Sequence, residues 1–161
     1  MKWRVSCVTL RPFSTSTSCR LQPPSRLLEC ILRNGPIDVH PEVESALATN
    51  HPVVALESTI ITHGMPHPIN LRTGRSVELI VRSTGAVPAT IGMIGGRVKI
   101  GLEPHELEYL ADSQSNSSVV KVSRRDIGPA IAQKRDGGTT CSATLIFAAC
   151  AGIKASSFGS C

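Results

Sequence analysis

From Val53 onward, short stretches dense in valine, isoleucine and alanine alternate with stretches whose apolar residues recur every three or four positions. That alternation restricts the fold more than any other feature. Strands apolar throughout need cover on both faces, and helices between them supply it. An α/β sheet protein is expected. "VVALE", Val53 to Glu57, reads as an inner strand. "VPATIGMIGG" reads as a strand or strand pair, with Gly95-Gly96 turning the chain into "RVKIGL". "VVKVS" reads as another strand. Helices are expected over "PEVESALA" behind Asp38 or His40, and over Glu103 to Ala111. A third runs from Leu71 to about Thr84, capped by Asn70 and stopped by Gly85. Its apolar positions are Leu71, Val77, Ile80 and Val81. A fourth is opened by Asp126 or Gly128. Gly137-Gly138 then breaks the chain, and Thr139 or Thr140 caps the apolar "SATLIFAACAGI". "SQSNSS" reads as a loop.

A chain of 161 residues suits one domain. With 3 % aromatics against 41 % apolar residues, its core must be aliphatic. No apolar run approaches the roughly 20 residues of a membrane helix. The net charge of +5 first suggests nucleic acid, but its distribution argues against that partner. Met1 to Leu28 holds Lys2, Arg4, Arg11, Arg20 and Arg26, no acid, and the hydroxyl run Ser14 to Ser18. Beyond it, twelve basic residues face twelve acidic ones. A basic, hydroxyl-rich, acid-free start is the pattern of a mitochondrial transit peptide, so residues 1–36 are expected to be transit segment and linker. An ordinary tail on a cytoplasmic protein is the alternative. The cysteines at 7, 19, 30, 141, 150 and 161 make no C-x-x-C pair and no zinc spacing, and read as reduced thiols.

Three stretches carry chemistry. In "VVALESTIITHGMPHP" a carboxylate, Glu57, stands where an apolar strand should continue, among Ser58, Thr59, Thr62 and His63. Strand ends line the ligand crevice of α/β sheets, and a partly desolvated carboxyl there can act as acid or base. A structural glutamate is the other reading. In "VVKVSRRDIG", Lys121 alternates with Val120 and Val122. It calls for a partner or an anionic ligand if the strand is inner, and for nothing if it is a solvated edge. Arg124 or Arg125 could hold a phosphate or pair with Asp126. In "RDGGTTCSATLI" a glycine turn enters a Thr-capped helix, which makes either an anion site or a plain helix start.

In this order, "HPVVALESTIITHGMPHPIN", "GAVPATIGMIGGRVKIGL", "VVKVSRRDI" and "GGTTCSATLIFAACAGIK" resemble the pseudouridine-5′-phosphate glycosidase family, over residues 37–154. The resemblance implies an incomplete α/β/α sandwich, and for the full-length family a trimer. It implies cleavage of the C–C bond of pseudouridine 5′-phosphate to uracil and ribose 5-phosphate, with manganese. The family's acid/base glutamate falls on Glu57. Substrate contacts fall on Lys121 and on Cys141, where the family usually has valine, and Thr139 and Thr140 join them. The family's metal aspartate and Schiff-base lysine come after the matched stretch, so no metal ligand is assigned. Residues 37–154 are therefore expected to be the front part of a glycosidase domain and 155–161 a divergent tail. The alternative is an inactive fragment or isoform that associates with a full-length subunit.

Overall fold

The computed structural model describes residues 35–112 and 118–157. The transit-like segment up to residue 34 and most of "SQSNSS" lie outside the described residues. Among those described, seven strands form one sheet. They are β1 (Ile37–Val39), β2 (Val53–Glu57), β3 (Val87–Ile94), β4 (Arg97–Ile100), β5 (Val120–Val122), β6 (Gly137–Thr139) and β7 (Ala155–Ser157). The helices are α1 (Pro41–Ala48), α2 (Ile69–Ser83), α3 (Pro104–Ala111), α4 (Ile127–Ala132) and α5 (Cys141–Cys150), and one π-type turn spans Ile60–Gly64. The strand order is β1-β4-β3-β2-β7, with β6 added to β3 and β5 outside β6.

The central strand is β3. Its residues 87–91 pair in parallel with β2, and 91–94 pair antiparallel with β4. Gly95 (φ 59°) and Gly96 (φ 75°) make that hairpin turn in the left-handed region, as the Gly-Gly signal implies. Beyond the end of β2, Gly92 and Met93 pair antiparallel with Gly138 and Gly137 of β6. Two strands therefore approach the same edge of β3 from opposite directions, and their C-terminal ends meet.

Both faces of the sheet are covered. On one, Val53, Ala55, Ala89, Ile91 and Met93 pack with Val43 and Ala46 of α1 and with Ala143, Phe147 and Ala148 of α5. On the other, Ile61, Leu107 and Ala111 cluster with Ile60, Leu71 and Leu102. No helix among the described residues is long and apolar enough to cross a membrane.

Several local expectations are corrected. Pro41 does open α1, behind His40, whose Nδ1 accepts from Glu42 N at 3.2 Å. Asp38 is no cap: it lies in the unforeseen β1, which pairs with β4. Gly137-Gly138 is a strand and not a helix break. Of the apolar positions expected to pack α2, Leu71 joins the Ile61–Leu107 cluster, but Val77 and Ile80 are exposed. Beside Leu71 the helix docks through Gly74, which lets Ile61 approach, and through Asn70, which is fully buried. The segment set apart as a tail begins with β7, which pairs in parallel with β2.

Asp38 ties β1 to β4. Arg97 reaches its carboxylate through Nε at 2.9 Å and Nη2 at 2.6 Å, and Lys99 Nζ lies 3.1 Å away. The Arg97 guanidinium, joined by the Lys99 ammonium, holds the carboxyl down from 3.8 to about 2 against a smaller opposing effect of burial. A depressed native value means the pair stabilises fully above the unfolded value and fades as pH falls through that window. Asp38→Asn should therefore lower the melting temperature at neutral pH, and the gap to wild type should close between about pH 4 and pH 2. A gap that stays constant down to pH 2 would remove this role.

Candidate active site

The site forms where β2 and β6 meet end to end. Alternation along β2 puts Val53, Ala55 and Glu57 on the face packed by α5, and Glu57 is in register with the buried Ile91. Glu57 is half-buried at the strand's last position. The thiol of Cys141, first residue of α5, donates to its Oε2 at 2.8 Å. The carboxylate thus lies against the positive end of a ten-residue helix. Thr140 holds the N-cap position without a side-chain bond to the backbone N–H groups of the first turn, so it leaves those donors to other acceptors.

The joint itself is built of hydroxyls. Ser58 and Thr139 are both fully buried. Ser58 Oγ donates to the Ile91 carbonyl at 2.7 Å and accepts from Thr139 N at 2.9 Å. Thr139 Oγ1 donates to the same carbonyl at 2.6 Å and lies 3.0 Å from Thr144 Oγ1. A ladder broken by two strand ends leaves backbone groups without strand partners, and buried ones must find others. These side chains supply them, 81 residues apart in sequence.

Glu57 and Cys141, expected in the site, are therefore in contact. Thr139 is corrected: its hydroxyl is committed inside the protein and not presented at a surface. Thr140 is half-buried, its hydroxyl 3.1 Å from Ser142 Oγ. Lys121 lies on β5, an edge strand, and is exposed. Register places it beside Gly138, on the face opposite Val120 and Val122. That is the face of the π turn, whereas Glu57 shares the face of α5, and no ion pair joins the two. Arg124 and Arg125 are exposed, and Asp126 turns to the Ser123 backbone N–H at 3.0 Å rather than bridging to an arginine. A shallow cavity of about 400 Å³, lined by His67, Leu71, Glu108, Tyr109 and Asp112, includes neither Glu57 nor Lys121.

The π turn leaves β2 just after Glu57 and seats on β6. Thr62 Oγ1 is 2.7 Å from His63 Nδ1. Burial first, and the Lys121 charge second, push the His63 imidazole below its ordinary value of 6.5. The Thr59 hydroxyl is buried with no hydrogen-bond partner among the described residues.

Sequence reasoning gave Asn70 a capping role only, but it anchors this turn. Its Nδ2 donates at 2.7 Å to the Ile61 carbonyl and at 2.7 Å to the Ala111 carbonyl, while its Oδ1 accepts from Leu71 N at 2.8 Å. Asn70→Ala leaves all three groups unpartnered in the interior, so a loss of about 2–3 kcal/mol in urea unfolding is expected. A loss under about 0.5 kcal/mol, typical of a surface change, would contradict the anchor.

The family profile described as "Indigoidine synthase A like protein" matches residues 42–160. The pseudouridine-5′-phosphate glycosidase of Hahella chejuensis is 56 % identical over 121 residues, which is 75 % of this chain and 39 % of that protein. That of Symbiobacterium thermophilum is 60 % identical over 114 residues, 71 % of this chain and 36 % of that protein. The chain thus spans under two fifths of the length of each of these relatives. Among solved structures, the prealnumycin C-glycosynthase AlnA in complex with ribulose 5-phosphate superposes with a TM-score of 0.66 at 40 % identity, covering 76 % of this chain and 38 % of that one. An indigoidine synthase A-like protein of Thermotoga maritima gives 0.65 at 28 % identity, covering 76 % and 39 %.

Proposed function

Because the chain belongs to the indigoidine synthase A-like family, that of the pseudouridine-5′-phosphate glycosidases, we propose that Glu57 is the acid/base group of a C-glycosidic bond cleavage. The substrate is pseudouridine 5′-phosphate and the products are uracil and ribose 5-phosphate. One observation carries this reading: the carboxylate stands at converging strand ends, against a helix N-terminus, in a chain 56 % identical over 121 residues to a glycosidase of that name. The solved relative is in complex with ribulose 5-phosphate, which fits a sugar-phosphate substrate.

The chemistry fits the residue type. Breaking the bond between ribose C1′ and uracil C5 leaves the electron pair on C5, which must gain a proton. Water supplies the oxygen that ends on C1′. No oxygen or nitrogen leaving group is present, so a carboxyl that moves protons between sugar and base has the decisive part. Lys121, Arg124 and Arg125, all exposed near the end of β5, are the cations at hand for the phosphate. The resemblance also implies manganese. Among the described residues no three His, Cys, Asp or Glu side chains gather as metal donors. The described residues offer it no cradle, and no step is assigned to it.

The test is release of free uracil when the purified, folded chain meets pseudouridine 5′-phosphate with manganese in the buffer. Uracil absorbance growing with enzyme concentration is expected. A sample folded by circular dichroism that yields none overturns the proposal for this chain.

A further inference from the structure

Among the described residues six large apolar side chains are exposed, and four of them are on α2: Ile69, Val77, Leu79 and Ile80. The helix docks on its own chain through Asn70, Leu71 and Gly74, which leaves these four to solvent. At 3.6 residues per turn, Ile69, Thr73, Ser76 and Ile80 fall on one line along the helix, with Val77 on one flank and Leu79 on the other. The spacing along that line is four, three, four. It reads the same in both directions, which is what contact between two identical surfaces requires. Laid antiparallel on its own copy, the helix sets Ile69 against Ile80 of the second copy and Thr73 against Ser76.

The polar groups on the line are already satisfied. The Ser76 hydroxyl donates to the Arg72 carbonyl at 2.7 Å, and the Thr73 hydroxyl to the Met65 sulfur at 3.8 Å. Both small residues can therefore leave water at little cost and let two helices come close. Charge does not oppose the contact, because Arg75 pairs with Glu108 and Arg82 with Glu42 inside the chain. Arg72, beside the line, can lay its stem over Leu79 of the second copy and keep its guanidinium in water.

We propose that the outer face of α2 is a two-fold docking surface whose occupant is α2 of a second copy of this chain. A pair of fifteen-residue helices falls at the small end of specific interfaces, about 1,200 Å² in total, so a dimer of about micromolar affinity is expected. The proposal concerns assembly and stands apart from the proposed function.

The full chain is followed by analytical ultracentrifugation from about 1 to 100 µM. Wild type is expected to show a monomer–dimer equilibrium. Ile80→Lys sets an ammonium against Ile69 of the second copy, and Ile69→Glu sets a carboxylate against Ile80. Each should weaken the dimer at least about tenfold. Both positions are exposed, and an acid at the start of a helix and a base near its end suit its dipole, so circular dichroism should not change. The double variant sets the new carboxylate against the new ammonium across the pair, and should dimerise at least about threefold more tightly than either single variant. A wild type that stays monomeric leaves the face to another occupant and overturns the proposal. So does a dimer that both single variants leave intact, or any assembly larger than a dimer. A double variant no tighter than the single ones overturns the antiparallel pairing.

Discussion

Glu57→Gln should lower uracil release by about two to four orders of magnitude, the usual contribution of a positioned acid or base. The amide keeps an oxygen that can accept from the Cys141 thiol, so the contact at the head of α5 survives. It cannot deliver or take up the proton that uracil C5 requires. Glu57 is only half-buried and forms no ion pair, so stability should change by no more than about 0.5 kcal/mol. A variant that melts like wild type and turns over nothing would mark Glu57 as chemical rather than structural. A variant with wild-type turnover would end its role as the acid/base group.

The second large effect concerns a residue with no side chain. A Cβ added at Gly138 would stand 2.1 Å from Thr62 Oγ1, 3.0 Å from its Cγ2 and 3.1 Å from its Cβ. Thr62 is buried within a turn that Asn70 holds from behind, so its hydroxyl has little room to retreat. Gly138→Ala must push the π turn off β6 or part β6 from β3. A loss of about 3 kcal/mol is expected, at the upper end of overpacking effects. It is read from the urea midpoint at an unchanged slope. Gly128→Ala is the control. A Cβ there meets nothing within 4 Å, and alanine suits a helix better, so stability should hold or rise by up to about 1 kcal/mol. Equal effects at the two positions would refute the steric argument.

Much of the fold could be read directly from the chain, and the misses have physical causes. The β3–β4 hairpin was legible because Gly95-Gly96 supplies the left-handed angles a tight turn needs. The end of β2 was legible because a carboxylate interrupts an apolar run. β6 was not: with glycine at two of its three positions it carries almost no side-chain signal. It is a strand because β3 and β5 offer it backbone partners on either side. The packing side of α2 was misread because the apolar stripe Val77 and Ile80 suggests burial. The π turn and α3 receive Gly74 and Asn70 beside Leu71, through close approach to Ile61 and bonds to the Ile61 and Ala111 carbonyls. In the site, Glu57 announced itself by its place in the strand. Ser58 and Thr139 look like ordinary hydroxyls, and their mutual bonds depend on a meeting 81 residues apart.

β3 acts as a ruler against which two chain lengths are measured. β2 is counted along it from one end and β6 from the other, and the spacing between Glu57 and Cys141 is what remains. Deleting one residue from β2 would draw the carboxylate back by about 3.3 Å and turn it to the opposite face. Added length in a connection that bears on neither strand would leave that spacing alone. The geometry of the site thus tolerates changes of length in its connections but not in β2 or β6.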